Sequence, residues 1–181
     1  MTDQELKDLV ASLAIDTKEI KEAQRKTDEQ LKRTDEKLER VGIRVGNISN
    51  NQGDVAEEYF FNSLQKDLRL GSIKFDIIDK NTLRRVGNLQ DEFDIILING
   101  ESVALIEVKY KVHPNDVEKL EKKIKNFRKL FPIYKDFKLY AGLAGFVIPQ
   151  DVFKTMYEKG YFILQRKGEV LESYTDNLIA A

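Results

Sequence analysis

The sequence predicts an α/β protein with a mixed central β-sheet flanked by helices, preceded by a long N-terminal helix or coiled coil. Three observations lead there. Residues 1–48 lack proline and repeat apolar residues at heptad spacing. Residues 91–109 carry two β-branched apolar runs on either side of Asn99-Gly100, the signature of a hairpin. Between residue 54 and the C-terminus the signals run helix, strand, hairpin, helix, strand, helix and strand, an order that fits a mixed sheet.

Length and composition set the frame. A chain of 181 residues has room for one ordinary domain and an appendage. Its 41% hydrophobic content supports a core, while 34% charged residues call for an extensive solvated surface. Cysteine is absent, which excludes disulfides and thiolate metal sites and makes a cytoplasmic location the expectation. No apolar run approaches the ~20 residues that cross a bilayer, and the first residues lack the features of a signal peptide.

The net charge of −1 is unevenly spread. Residues 47–108 hold 6 basic and 11 acidic side chains, a net of −5, whereas residues 109–138 hold 10 basic and 4 acidic, a net of +6. An acidic pocket beside a basic strip suits a protein that handles a polyanion with the help of a cation. A lysine-rich helix face in solvent is the plainer account of the basic run.

In order along the chain, Leu6, Leu9, Leu13, Ile20, Ala23, Thr27, Thr34, Val41 and Ile48 follow a heptad seam, with Leu31, Leu38 and Val45 on a second stripe. This reads as a coiled coil over residues 1–48 that associates with further copies of the chain. Gly42 and Gly46, then Asn47 to Gly53, are expected to interrupt the helix, so the second domain is set at residues 49–181. A new helix is expected from Asp54 to about Leu68. Ile73–Ile78 reads as a strand and residues 80–90 as a polar connection. After the hairpin, Asn115 or Asp116 is expected to cap a helix that buries Val117, Leu120, Ile124, Phe127 and Phe131. Its other face would hold Lys119, Lys122, Lys123, Lys125, Arg128 and Lys129 in solvent. Leu139–Ile148 reads as a buried strand, Pro149 opens a helix that Gly160 closes, and a final hairpin turns at Arg166-Lys167-Gly168.

The hairpin carries the chemistry. With Asn99-Gly100 as a two-residue type I′ loop, Asp94 faces Leu105 and Glu92 faces Glu107. Alternation then sends Glu92, Asp94, Glu107 and Lys109 to one face, with Phe93, Ile95, Leu97, Ala104, Ile106 and Val108 on the other. Asp94 and Glu107 become diagonal neighbours that can converge on a hard cation such as Mg²⁺ or Mn²⁺. Such an ion prefers oxygen ligands and keeps several waters for substrate phosphate. Lys109 would lie beside the attacking water.

Asp94 followed by Glu107-Val108-Lys109 resembles the D…E-x-K signature of the PD-(D/E)XK, restriction-endonuclease-like nuclease superfamily. Gly53-Asp54-Val55-Ala56-Glu57-Glu58, Asp116-Val117-Glu118 and Gly142 to Pro149 further resemble a prokaryotic family of uncharacterised proteins in which a coiled coil precedes such a domain. Phe93 stands where the pattern has proline.

The resemblance implies a Mg²⁺- or Mn²⁺-dependent endonuclease acting on nucleic acid, with DNA the expected substrate. Asp94 and Glu107 would hold the metal with the carbonyl of Val108 and, from the preceding helix, Glu57. Lys109 would position or deprotonate water, and Glu92 would stand behind the ligands. Lys111, Lys119 and Lys122 would contact the nucleic-acid backbone. The alternative is a catalytically silent module of nuclease fold that serves in assembly or nucleic-acid binding. Serine or cysteine nucleophiles find no partner here, since cysteine is absent and His113, the one histidine, sits in a loop before proline.

Overall fold

The structure is a computed structural model that describes residues 3–168 and 170–181, and leaves out the side chains of residues 4–12, 14, 15 and 38–50. It divides into two compact units, Met1–Ser49 and Asn50–Ala181.

Helix α1 runs from Asp3 to Lys66 without a break. The expected interruption between Gly42 and Gly53 is absent. Each glycine costs a helix only about 1 kcal/mol and no proline removes a backbone donor, so the cooperative ladder continues through them. Within the first unit Leu13, Ile20 and Leu31 are exposed. The hydroxyls of Thr27 and Thr34 donate to the carbonyls of Ala23 and Gln30 on their own helix. The side chains of Leu6, Leu9, Val41 and Ile48 of the expected seam, and of Leu38 and Val45 of the second stripe, lie outside the described residues.

In the second unit, Arg69–Leu70 (β1) and Ile73–Lys74 (β2) form a small antiparallel ribbon. Six strands make the main sheet: β3 Ile77–Val86, β4 Leu89–Ile98, β5 Ser102–Lys111, β6 Lys138–Val147, β7 Phe162–Lys167 and β8 Val170–Tyr174. They lie in the order β3-β4-β5-β6-β7-β8. The β5–β6 and β6–β7 pairs are parallel and the other neighbours antiparallel. Helices α2 (Asn115–Leu130) and α3 (Gln150–Glu158) make the two parallel crossovers. This α/β architecture, a mixed sheet between helices with a long helix before it in the chain, is the one the sequence predicts.

Both faces of the sheet are covered. On one, Ala56, Phe60 and Leu64 of α1 bury against Ile95, Leu97, Ala104, Ile106 and Val108. On the other, Phe127 and Leu130 of α2 pack on Ile96, Ile98, Val103 and Leu105, and Val152 and Met156 of α3 join Ala141, Leu143 and Ile163.

Residues 80–90, expected as a connection, lie largely in β3, which pairs with β4 as far as Val86↔Leu89. An edge strand is solvated along much of its length, so its polar residues carry no apolar alternation to read. Neither Asn115 nor Asp116 caps α2 with its side chain; Pro114 precedes the first turn. The buried Asp116 instead accepts from the His113 backbone N–H at 2.8 Å and from Lys119 Nζ at 2.8 Å.

The expected Asn99-Gly100 type I′ loop is not formed. Neither residue takes a positive φ. Asn99 Oδ1 accepts from the N–H groups of Glu101 and Ser102 at 3.0 and 2.7 Å, and Asn99 N–H donates to the Ser102 carbonyl at 3.0 Å. The asparagine side chain thus closes the turn around Gly100-Glu101, and Ile98 pairs with Val103 instead of Glu101. The ladder shifts by two residues. Because strands repeat every two residues, each β5 side chain keeps its expected face.

Candidate functional site

The β4–β5 pairing runs from Ile98↔Val103 to Ile95↔Ile106. One step further in the same register sets Asp94 opposite Glu107, closer than the diagonal placement expected from the sequence. Here the strands part. The N–H of Val108 donates to Asp94 Oδ2 at 2.7 Å, so a side chain stands in for the opposing main chain.

On the adjacent edge strand, Asn81, which falls opposite Asp94 in the β3–β4 register, has φ of 50°. Strict alternation fails at this kink. Phe93, expected to share a face with Ile95, packs with Ile96, Phe127 and Leu105 on the α2 side, its ring edge-on to Phe127 at 5.5 Å. Phe93 and Asp94 therefore both serve the α2 face. Two residues before Phe93, Asp91 accepts from Asn126 Nδ2 of α2 at 2.7 Å, while the side chain of Glu92 is exposed.

Glu107, Lys109 and Asp94 come together as expected. Glu107 is 5% exposed, and its Oε1 accepts from Lys109 Nζ at 2.6 Å. A fourth group joins them, unforeseen in the sequence. Lys123 of α2 reaches Glu107 Oε2, lies 3.6 Å from Asp94 Oδ1 and donates to the Glu92 carbonyl at 2.6 Å. It was expected in solvent, yet its side chain is only 18% exposed. Lys123 follows the buried Leu120 by three residues and precedes the buried Phe127 by four, so it borders the apolar stripe and swings toward the sheet. That spacing was the signal. Arg128 is also withdrawn from solvent, its guanidinium donating to the carbonyls of Tyr134, Phe137 and Ala181.

Burial pushes the Asp94 carboxyl up to about 6, helped by the charge of Glu107 and opposed by Lys123, the Val108 N–H and Lys109. Lys109 and Lys123 move the other way from what burial alone dictates. Burial pulls each ammonium down, but for Lys109 the charge and hydrogen bond of Glu107 and the charge of Asp94, and for Lys123 the charges of Asp94 and Glu107, hold both above the ordinary lysine value. Lys109 is thus a firmly protonated cation. It can orient a water or neutralise a phosphate, but it is unsuited to take a proton from water.

The fit of a divalent metal can be judged from these donors. Asp94 Oδ2 is taken by Val108 N–H, Glu107 Oε1 by Lys109, and Glu107 Oε2 by Lys123. Between Phe93, Asp94, Leu105, Ile106, Glu107, Leu120 and Lys123 about 10 Å³ of space is left, enough for about one water. Among the described residues no group of three or more acidic or histidine side chains gathers to hold an ion. With Lys123 seated, the centre does not fit a hydrated Mg²⁺.

Glu57 lies half-buried on α1 in an open cleft of about 560 Å³ lined by Asp54, Glu58, Tyr59, Asn62, Lys80 and Asn81. Its neighbour Glu58 is the one tied down, accepting from Lys80 at 2.7 Å and Asn62 at 3.0 Å. Lys111 and Lys122 are exposed, and Lys119 is more than half exposed beside Asp116.

Comparison with known proteins returns little at the level of sequence. No family model matches the chain, and no curated protein does. Among solved structures, a repair endonuclease from Pyrococcus abyssi is similar over 61% of this chain and 46% of its own, at 15% identity and a TM-score of 0.45. The chain therefore spans less than half the length of that protein. No described helix is long and apolar enough to cross a membrane.

Proposed function

We propose that this protein is a nuclease-fold module that binds nucleic acid without hydrolysing it and assembles through its N-terminal helix. The observation that carries this reading is the pairing of both buried carboxylates. Lys109, Lys123 and the Val108 N–H take up three of the four carboxylate oxygens that a catalytic cation would need, and the fourth, Asp94 Oδ1, stands 3.6 Å from Lys123 Nζ. Beside that neutralised centre, Lys119, Lys122, Lys125 and Lys129 stand exposed on α2, with Lys111 at the end of β5. Five cations on neighbouring elements suit phosphate contacts that position a polyanion.

Labelled duplex DNA and single-stranded RNA, followed by fluorescence anisotropy, test the binding. Changing Lys111, Lys119 and Lys122 together to Glu is expected to weaken affinity at least tenfold and to flatten its salt dependence. Equal binding by the triple variant would refute the reading.

A second reading, a Mg²⁺- or Mn²⁺-dependent phosphodiesterase acting on DNA, is favoured by one observation. Asp94, Glu107 and Lys109 converge, and Asp94 does so at an energetic cost to its ionised form. The metals would have to be held by Asp94, Glu107 and the Val108 carbonyl, with Glu57 and Glu92 as outlying candidates. The same DNA samples, incubated with Mn²⁺ and run on a denaturing gel, separate the two. The binding-module reading expects intact DNA, and cleavage lost in Glu107→Gln would establish the enzyme.

Self-association rests on the apolar residues that α1 exposes, Leu13 and Ile20 on the heptad seam and Leu31 on the second stripe. A version starting at Asn50 is expected to scatter light as a smaller assembly than the full chain. An unchanged number of chains per particle would remove the coiled coil from the proposal.

A further inference from the structure

Lys123 does more than pair with one acid. Its Nζ is surrounded by oxygens from three residues: the Glu107 carboxylate, the Glu92 carbonyl at 2.6 Å and the Asp94 carboxylate at 3.6 Å. Glu107 Oε2 is fully buried and has no well-directed hydrogen bond, so the ammonium serves it mainly as a charge. The ammonium also stands over the Phe93 ring, 5.9 Å from Nζ to the centroid. Leu120 and Phe127, buried on either side along α2, fix the rotation of the helix that delivers it.

From this geometry we infer that Lys123 is the built-in counter-cation of the centre, seated where a divalent ion would have to bind and excluding it. Charge and space agree. Asp94 and Glu107 are balanced by Lys109 and Lys123, so a further two positive charges would enter a buried site already neutral. The remaining space admits about one water, whereas Mg²⁺ parts reluctantly with its several waters. The inference shares with the proposed function only the metal-free centre, and a titration without nucleic acid tests it apart from any binding or cleavage.

The experiment is calorimetric titration of MnCl₂ into the full chain, comparing wild type with Lys123→Gln, Lys123→Arg and the double variant Lys123→Gln/Asp94→Asn. Expected are binding by Lys123→Gln at least tenfold tighter than wild type, no gain in Lys123→Arg, and loss of the gain in the double variant. Wild type that binds Mn²⁺ as tightly as Lys123→Gln overturns the inference, as does a gain that survives the loss of Asp94. Should Lys123→Gln fail to fold by circular dichroism, the wild-type titration decides alone. Mn²⁺ binding that Asp94→Asn abolishes overturns the inference, and its absence at millimolar Mn²⁺ upholds it.

Discussion

Gly142→Ala is expected to destabilise the second unit by about 3 kcal/mol or more, the upper end for an overpacked core. Intrinsic preference argues the other way, since glycine within a strand is weaker than alanine by roughly 0.5–1 kcal/mol. Packing reverses the sign. Gly142 lies in β6 beside Phe162 of β7, and a Cβ built there would sit 2.2 Å from Phe162 Cδ2 and 2.4 Å from the Phe162 carbonyl oxygen. Phe162 is fully buried among Phe60, Ile106 and Val108, so its ring has no free volume to enter, and the carbonyl belongs to a sheet backbone that cannot shift alone. Gly53→Ala provides the control. A Cβ at that helical position meets nothing within 4 Å, and the change is expected to stabilise by about 0.5–1 kcal/mol. Urea unfolding followed by circular dichroism measures both. A neutral Gly142→Ala would mean that β6 and β7 can separate in the native sheet.

Those two glycines also mark what the sequence discloses and what it hides. The strands around Asp94 and Glu107 were legible because burial writes apolar runs, and a period of two preserved the face of Glu107 and Lys109 even when the register moved by two residues. The turn itself was misread because Asn99 spends its side chain on closing the loop, a choice of hydrogen bonds that an Asn-Gly pair does not announce. Alternation does not anticipate the kink at Asn81 and Asp94, so Phe93 and Asp91 meet α2, on the face where Glu92 is expected. Beyond Ile78, strand β3 leaves no apolar pattern to read, for want of buried neighbours on much of its length. Lys123 was hidden differently. A lysine at the border of an amphipathic helix can point either way, and only the unbalanced carboxylates across the gap decide that it turns inward.

The energetic character of that centre leads to the second large effect. Asp94→Asn is expected to make the protein more stable at pH 7.5 by about 2 kcal/mol, with the advantage fading as the pH falls toward 4. The folded carboxyl titrates at about 6, against an ordinary 3.8, so between those values the folded state holds a proton that the unfolded chain has released. Stability from this group is therefore greatest below the unfolded value, declines as the pH rises through the interval, and stays reduced above about 6. Two units correspond to about 3 kcal/mol, and the 13% exposure of the side chain reduces this to about 2. Asparagine keeps an oxygen for the Val108 N–H and offers Glu107 an N–H in place of a repelling charge. Urea unfolding at pH 4, 6 and 7.5 gives the comparison. A wild type more stable than Asp94→Asn at pH 7.5 would mean that Lys123 outweighs burial. The expected order means that the lysine offsets the cost of the ionised pair without cancelling it. A buried carboxylate held ionised against the stability of its own fold is characteristic of a site rather than of a core.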